Sequence, residues 1–245
     1  MTIAIPTTSL AEPLIEHLEV LAVTANHRVI RTTEMECMRL LLANSADLAL
    51  VTPMGYGMGV GRADYRIVPH GAVMLHDYTN AAAISFGEHG RALATCTSNA
   101  PEDFLPTVGV VLMAEKFDLD LAVRKGEGGD CHVDYPAADR LSVMDVSEEY
   151  SDMLEAPLPV YVWACRAEAD EDAMVALVQA LGSVAQRDVD VVEQVPPDGD
   201  HFPREGRITY GWTDESEEAL ATVMELLFYH QLLPEIPAVK ILGRD

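Results

Sequence analysis

The chain has 245 residues, 49% of them hydrophobic, enough for one large domain or two small ones around a sizeable core. Forty acidic residues against 16 Lys plus Arg give a formal charge of −24, which repels phosphate backbones and excludes nucleic acid as an expected partner. No apolar run approaches the roughly 18 residues of a spanning helix, so no membrane partner is expected.

The opening MTIAIPTTSL lacks the basic and long apolar regions of a signal peptide, which predicts a cytoplasmic protein. Lysine is scarce, at Lys116, Lys125 and Lys240, and the other basic residues are arginines. Salt adaptation and a GC-rich genome both account for that balance, as does an acidic patch for a basic partner, so charge alone says nothing about an active site. Cys37, Cys96, Cys131 and Cys165 are scattered without a CxxC. Free, buried thiols are expected, with no disulfide set and no metal site.

In chain order, Thr2 to Ile5 reads as a strand and Thr7, Thr8 and Ser9 as a turn. Leu10 to Leu18 has helical apolar spacing. Val20 to Val23 and His27 to Ile30 are extended pieces, and Thr33 caps a helix through Met35, Met38, Leu41 and Leu42. DLALVT, Asp47 to Thr52, is a buried strand, followed by the glycine-rich PMGYGMGVG, read as a loop. Tyr65 to Val68 is a strand ending at Pro69, with further apolar runs at Val73 to Leu75 and Ala81 to Phe86. Arg91 to Thr95 is a strand, CTSNAPEDF a polar turn, Val108 to Phe117 a helix and Leu119 to Val123 a strand. After the GEGGD loop come short apolar pieces at Cys131 to Val133 and Leu141 to Val143, then a helix over Glu148 to Leu154. Val160 to Cys165 is apolar along its whole length, the mark of a strand buried on both faces. Helices over Asp170 to Ala185 and from Asp214 or Ser216 onward flank a breaker-rich loop at Val195 to Gly206 and an extended piece at Ile208 to Trp212.

Strands alternate with helices, so the class is α/β. Prolines and polar turns near His89 and Ala156 mark two crossings between lobes. Lobe one is then residues 1–88 plus 157–245, and lobe two residues 89–156. Such an excursion predicts a central cleft, where ligands bind.

The chemistry-bearing candidates are few. GYGMGVG has the wrong spacing for a dinucleotide fingerprint and no Lys-Ser/Thr for a phosphate loop. Thr97, Ser98 and Asn99 lie between a strand and a helix, where hydroxyls and N–H groups either cap the helix or hold a carboxylate. The same holds for Thr7, Thr8 and Ser9. CHVD contains the only adjacent Cys and His, but neighbours on a strand point to opposite faces and do not form a nucleophile pair. His132 and Asp134 remain as weak catalytic candidates, the only nearby groups able to move a proton. Trp163, Trp212 and the Met35/Met38 pair read as packing residues.

Three longer segments carry a family resemblance. DVSEEYSDMLEAPLPVYVWACR, SADLALVT followed by DYRIVP, and ATCTSNAPEDFLPTVGVVLMAEKFDLD resemble segments of the chorismate dehydratase and 1,4-dihydroxy-6-naphthoate synthase family of futalosine-pathway menaquinone biosynthesis. The closing ITYGWTDESEEALATVMELLFYHQLLPEIP also fits the family's last helix. The resemblance implies a two-lobe type II periplasmic-binding-protein-like fold with mixed sheets, and a divergent member. The usual Asn of the dehydratases' first turn is absent from PTTSL, and only Thr97 and Ser98 remain of the hydroxyl cluster in lobe two. The naphthoate synthases' histidine motif would fall near Tyr135 and Pro136, and His132 comes too early to match it.

The function implied is therefore a carbon–oxygen lyase that dehydrates chorismate or a related aromatic carboxylate. Thr7, Thr8, Ser9, Thr97, Ser98 and Asn99 would hold the carboxylates by hydrogen bonds, with Asn80 reaching the same ligand. No cofactor is implied, and a homodimer stays open. The rival is a cytoplasmic binding protein that captures a small anionic ligand without turnover. A dinucleotide oxidoreductase would rest on the glycine segment alone.

Overall fold

The computed structural model describes residues 1–17, 27–87, 93–136, 143–181, 186–194 and 202–244. The extended piece expected at Val20 to Val23 lies outside these residues. So do the crossing near His89, most of Leu141 to Val143, the end of the helix expected to reach Ala185, and most of the loop at Val195 to Gly206.

The chain forms two compact units. The larger comprises Met1–Met74, Pro159–Asp188 and Thr209–Asp245, and the smaller Leu75–Leu158 and Val189–Ile208. Residues 75–88, 157–158 and 189–208 thus group with the smaller unit, where the sequence suggests lobe one. Strand pairing and an ion-pair clasp, described below, hold them there.

In the larger unit β1 (Thr2–Pro6) runs parallel to β2 (Arg28–Thr32), with Thr2 opposite Arg28 and Pro6 opposite Thr32. Among the described residues, the helix expected from Leu10 is one short 3-10 turn, Glu12–Leu14. Pro13 has no N–H to give to a carbonyl four residues back, and this ends a helix before it propagates. α1 (Glu34–Leu42) is capped by the Thr33 hydroxyl, which accepts from the Glu36 N–H at 3.3 Å. It buries Cys37, Met38 and Leu41 but leaves Met35 41% exposed, so of the methionine pair only Met38 packs.

β3 (Leu48–Val51) is buried throughout and pairs parallel with β1. The glycine segment that follows is not a loop: Pro53–Gly59 forms α2, with Pro53 in the first turn and the Thr52 hydroxyl accepting from the Gly55 N–H. Its glycines serve close packing. A Cβ on Gly57 would lie 2.7 Å from Leu233, and one on Gly59 would overlap the end of Met38.

β4 (Tyr65–Asp77) continues through Pro69, where the sequence suggested an end, and Gly71 takes a positive φ of 80° within it. β10 (Leu158–Arg166) is buried from Leu158 to Cys165 and runs antiparallel to β3, with Trp163 opposite Leu50. Trp163 is fully buried, as expected, whereas Trp212 is only half-buried. α5 (Glu171–Ala180) and α6 (Asp214–Tyr229) complete the unit. Two further strands, β11 (Gln186–Val192) and β12 (Glu205–Gly211), join a seven-stranded sheet of order β11-β12-β4-β10-β3-β1-β2.

The smaller unit is built on a five-stranded sheet of order β7-β6-β8-β5-β9, from β5 (Ala83–Phe86), β6 (Thr95–Ser98), β7 (Ala122–Lys125), β8 (Cys131–Asp134) and β9 (Met144–Asp145). β6 is parallel to β7 and β8, and β5 is antiparallel to β8 and β9, so this sheet is mixed too. α3 (Phe104–Phe117) lies against β8. Gly109 is the contact point, since a Cβ there would meet Val133 at 2.5 Å and Val146 at 3.0 Å.

α4 (Val146–Leu154) begins at Asp145, the first residue of the DVSEEY segment. The Asp145 carboxylate is fully buried. It accepts from the N–H groups of Ser147 and Glu148 at 3.1 Å each and from the Ser147 hydroxyl at 2.6 Å. Burial raises its pKa above the ordinary aspartate value, against the pull of those hydrogen bonds. Arg204 fastens the segment 189–208 to this unit, with its guanidinium 2.6 Å from Glu193, 3.0 Å from Glu148 and 4.5 Å from the centre of the Tyr78 ring.

Gly109→Ala should destabilise the protein by about 1–3 kcal/mol, read from urea unfolding, because neither valine can move away without strain. The Asp145 carboxyl predicts a pH effect of definite sign. A folded pKa above the unfolded one means that its ionised form weakens the fold, so its contribution falls as pH rises from the ordinary aspartate value through the raised one. Asp145→Asn should flatten that limb of the urea-midpoint curve against pH.

Candidate functional site

The register of β6 on β8 sets Cys96 opposite Cys131 and Thr97 opposite His132. Side chains alternate across a strand, so these two pairs lie on opposite faces of the sheet. Cys96, Ser98, Cys131 and Val133 are all buried, and Val133 meets α3. Thr97 and His132 share the other face, joined by Asp134 two residues along β8 and by Asn99 just beyond β6. The strand therefore runs through Cys96, Thr97 and Ser98, and the polar turn expected at Cys96 starts only at Asn99.

On that second face the polar atoms form one group. Thr97 Oγ1 lies 2.9 Å from His132 Nδ1, and His132 Nε2 lies 3.4 Å from Asp134 Oδ2. Asp134 accepts from the Asn99 side-chain amide at 2.6 Å and from its backbone N–H at 3.3 Å. The neighbouring Tyr135 hydroxyl donates to Asp103 at 3.1 Å. Partial burial raises the Asp103 pKa, opposed by that hydrogen bond. His132 Nε2 is buried and has no hydrogen-bond partner among the described residues, the 3.4 Å approach to Asp134 being poorly directed. An imidazole fixed at one nitrogen by a hydroxyl, with a carboxylate beside the other, can take up and return a proton.

The loop before β8 shapes this group. Gly129 donates its N–H to Thr97 Oγ1 at 3.3 Å, and a Cβ there would lie 2.8 Å from the Cys131 carbonyl and 3.0 Å from Thr97. Asp130 then accepts from Thr95 N–H at 2.9 Å and from the Thr95 hydroxyl at 2.7 Å, stapling the start of β6.

A second polar group lies in the larger unit, after β1. The Thr8 hydroxyl donates to the Tyr161 hydroxyl at 3.1 Å, and Tyr161 donates to the buried Glu34 carboxylate. The Thr7 hydroxyl donates to the Thr32 carbonyl at 3.3 Å, and Ser9 is exposed.

Four of the sequence candidates, Thr97, Asn99, His132 and Asp134, thus meet on one face of one sheet, whereas Ser98 lies on the opposite face, its hydroxyl accepting from the Ala100 N–H at 3.1 Å. Thr7, Thr8 and Ser9 belong to the other group. Asn80 belongs to neither: it is exposed at a positive φ of 53°, and its backbone N–H serves Asp145. The hydroxyls of Thr7, Thr8 and Thr97 and the amide of Asn99 are already bonded to protein groups. Sequence reasoning missed Asp103, Tyr135, Glu34 and Tyr161. Tyr135 directly follows Asp134, whereas Glu34 and Tyr161 meet only through the fold. Among the described residues no group of three or more His, Cys, Asp or Glu side chains is arranged to hold a metal ion.

No protein-family model matches the chain, and no curated protein matches it in sequence. Solved structures do match. Protein AF1704 from Archaeoglobus fulgidus is similar over 95% of this chain and 98% of its own, with a TM-score of 0.62 and 9% identity. An ABC transporter from Parabacteroides distasonis is similar over 100% and 99%, with a TM-score of 0.62 and 9% identity. The alkanesulfonate-binding protein SsuA from Xanthomonas axonopodis pv. citri, bound to MOPS, is similar over 98% and 96%, with a TM-score of 0.53 and 10% identity. At such identities the likeness concerns the fold. The chain has the periplasmic-binding-protein-like α/β fold with two mixed sheets that the sequence resemblance implied.

Thr97→Val should cost about 1–3 kcal/mol in urea unfolding, because it strips the partly buried imidazole Nδ1 of its partner. Thr97→Ser keeps the hydroxyl and should retain most of that stability.

Proposed function

We propose that the protein binds a small organic carboxylate and eliminates water from it, as a carbon–oxygen lyase acting on chorismate or a related aromatic carboxylate of menaquinone biosynthesis. The observation that carries the reading is His132, held by Thr97 at Nδ1, flanked by Asp134, with a buried Nε2 that has no hydrogen-bond partner among the described residues, an orphaned polar atom that a ligand group would satisfy. Dehydration needs one proton removed from carbon and one delivered to the departing hydroxyl. A single imidazole serves both, first as base and then as acid. Asp134 holds the positive charge that develops on the ring between the two transfers. Asn99 and Tyr135 keep Asp134 in place, by a side-chain bond of 2.6 Å and a backbone bond of 2.9 Å. The sequence segments that resemble the futalosine-pathway family support chorismate as the compound to test first.

A second reading has its own support. SsuA, which shares the fold, carries MOPS, a small organic anion. Thr97 and Ser98 are only 4% and 0% exposed, and the Thr97 hydroxyl is committed to the protein. A protein that captures an anion without turnover would have the same fold and no need of a mobile proton.

Incubating the purified protein with chorismate and following it by mass spectrometry separates these readings. The lyase reading expects a product lighter by one water, and a rate lower by on the order of 10²-fold in His132→Ala. Unchanged chorismate with a raised melting temperature would favour capture alone. Unchanged chorismate and an unchanged melting temperature would remove chorismate from both.

A further inference from the structure

The face of β6 and β8 turned away from His132 carries a pair of cysteines that the proposed reaction does not use. Cys96 and Cys131 are register partners on adjacent parallel strands, so both side chains project to the same face. Both are fully buried and free. Neighbouring strands lie about 4.8 Å apart, inside the roughly 4.4–6.8 Å between Cα atoms that a disulfide accepts. The other two cysteines have no such neighbour: Cys37 lies in α1 and Cys165 in β10, both in the larger unit.

We infer that Cys96 and Cys131 form a dithiol that peroxide closes reversibly to a disulfide, locking β6 to β8 one residue before Thr97 and His132. The two thiols differ in the way the reaction needs. The Cys96 thiol donates to the Thr97 carbonyl at 3.8 Å and the Cys131 thiol to the Thr95 carbonyl at 3.9 Å. The proximity of the two sulfurs draws Cys131 below the ordinary thiol value and, together with burial, pushes Cys96 up. Cys131 Sγ loses its proton and attacks one oxygen of hydrogen peroxide. The O–O bond breaks, and hydroxide leaves and is protonated to water, giving a sulfenic acid. Cys96 Sγ then attacks that sulfur, the S–S bond forms, the S–O bond breaks, and the Cys96 proton leaves with the oxygen as a second water. Two electrons pass from the thiols to one peroxide, which becomes two waters. Access comes through local opening at the sheet edge, where every residue of β7, the strand beside β6, is exposed.

The consequence reaches the other face of the sheet. Closing the bond draws Cβ atoms together on the Cys96 side, and the inextensible backbone passes the change to the Thr97–His132 pair. The oxidised protein should therefore show a shifted His132 ring resonance by NMR, restored by dithiothreitol.

The test uses the full chain and hydrogen peroxide, followed by alkylation, digestion without reductant and peptide mass mapping. The expected result is a Cys96–Cys131 linked peptide lighter by two hydrogens than the two thiol peptides. Alkylatable thiols in denaturant should fall from four to two per chain and return with dithiothreitol. Cys37 and Cys165 should stay alkylatable. Cys131→Ser, which lacks the attacking thiol, should keep three alkylatable thiols per chain, whereas Cys96→Ser should form no link and leave Cys131 as a dithiothreitol-reducible sulfenic acid, with two thiols alkylatable. Four thiols surviving in the wild-type protein would overturn the proposal, as would irreversible oxidation of separate cysteines or links between other pairs. The wild-type map decides even where a serine variant fails to fold.

Discussion

The parallel register of β6 on β8 governs the chemistry of the smaller unit. It places Thr97 beside His132 and, because side chains alternate, Cys96 beside Cys131 on the opposite face. A shift of one residue would set Thr97 against a cysteine or a valine and dissolve both pairs at once. Several local features hold the register. Asp130 staples the start of β6, Gly129 closes on Thr97 at a distance that no side chain would permit, and Gly109 lets α3 press on Val133. Polar chemistry and apolar packing are thus consequences of one pairing.

A second theme is how the acidic groups are accommodated. Asp145, Asp130 and Asp134 are each surrounded by backbone N–H groups or hydroxyls, and Glu34 is met by Tyr161. These carboxylates build helix starts, strand staples and side-chain orientation. The overall charge of −24 therefore reflects several structural acids as well as surface ones, and it does not by itself mark a ligand.

Strand and helix order was legible wherever periodicity and caps agreed. Thr33 before α1, the wholly apolar β10 and the spacing of α6 all carry local signals strong enough to be read directly. The reading went astray where one residue outweighed the pattern. Pro13 cut short an amphipathic run, and Pro53 with Thr52 turned a glycine-rich stretch into a helix whose glycines serve packing. In the site, alternation along CHVD separates Cys131 from His132 and aligns His132 with Asp134, which needs no structure to derive. What sequence could not supply was the partner across the strand pair. Thr97 is 35 residues from His132 and is recognisable as its neighbour only once the register is known.

A double-mutant cycle on Thr97→Val and His132→Phe, measured by urea unfolding, tests this register-borne pairing most directly. The account predicts a coupling of about 1 kcal/mol, with the double variant losing less stability than the two single losses combined. Stability losses that simply add would mean that the hydroxyl and the imidazole do not meet, and would contradict it.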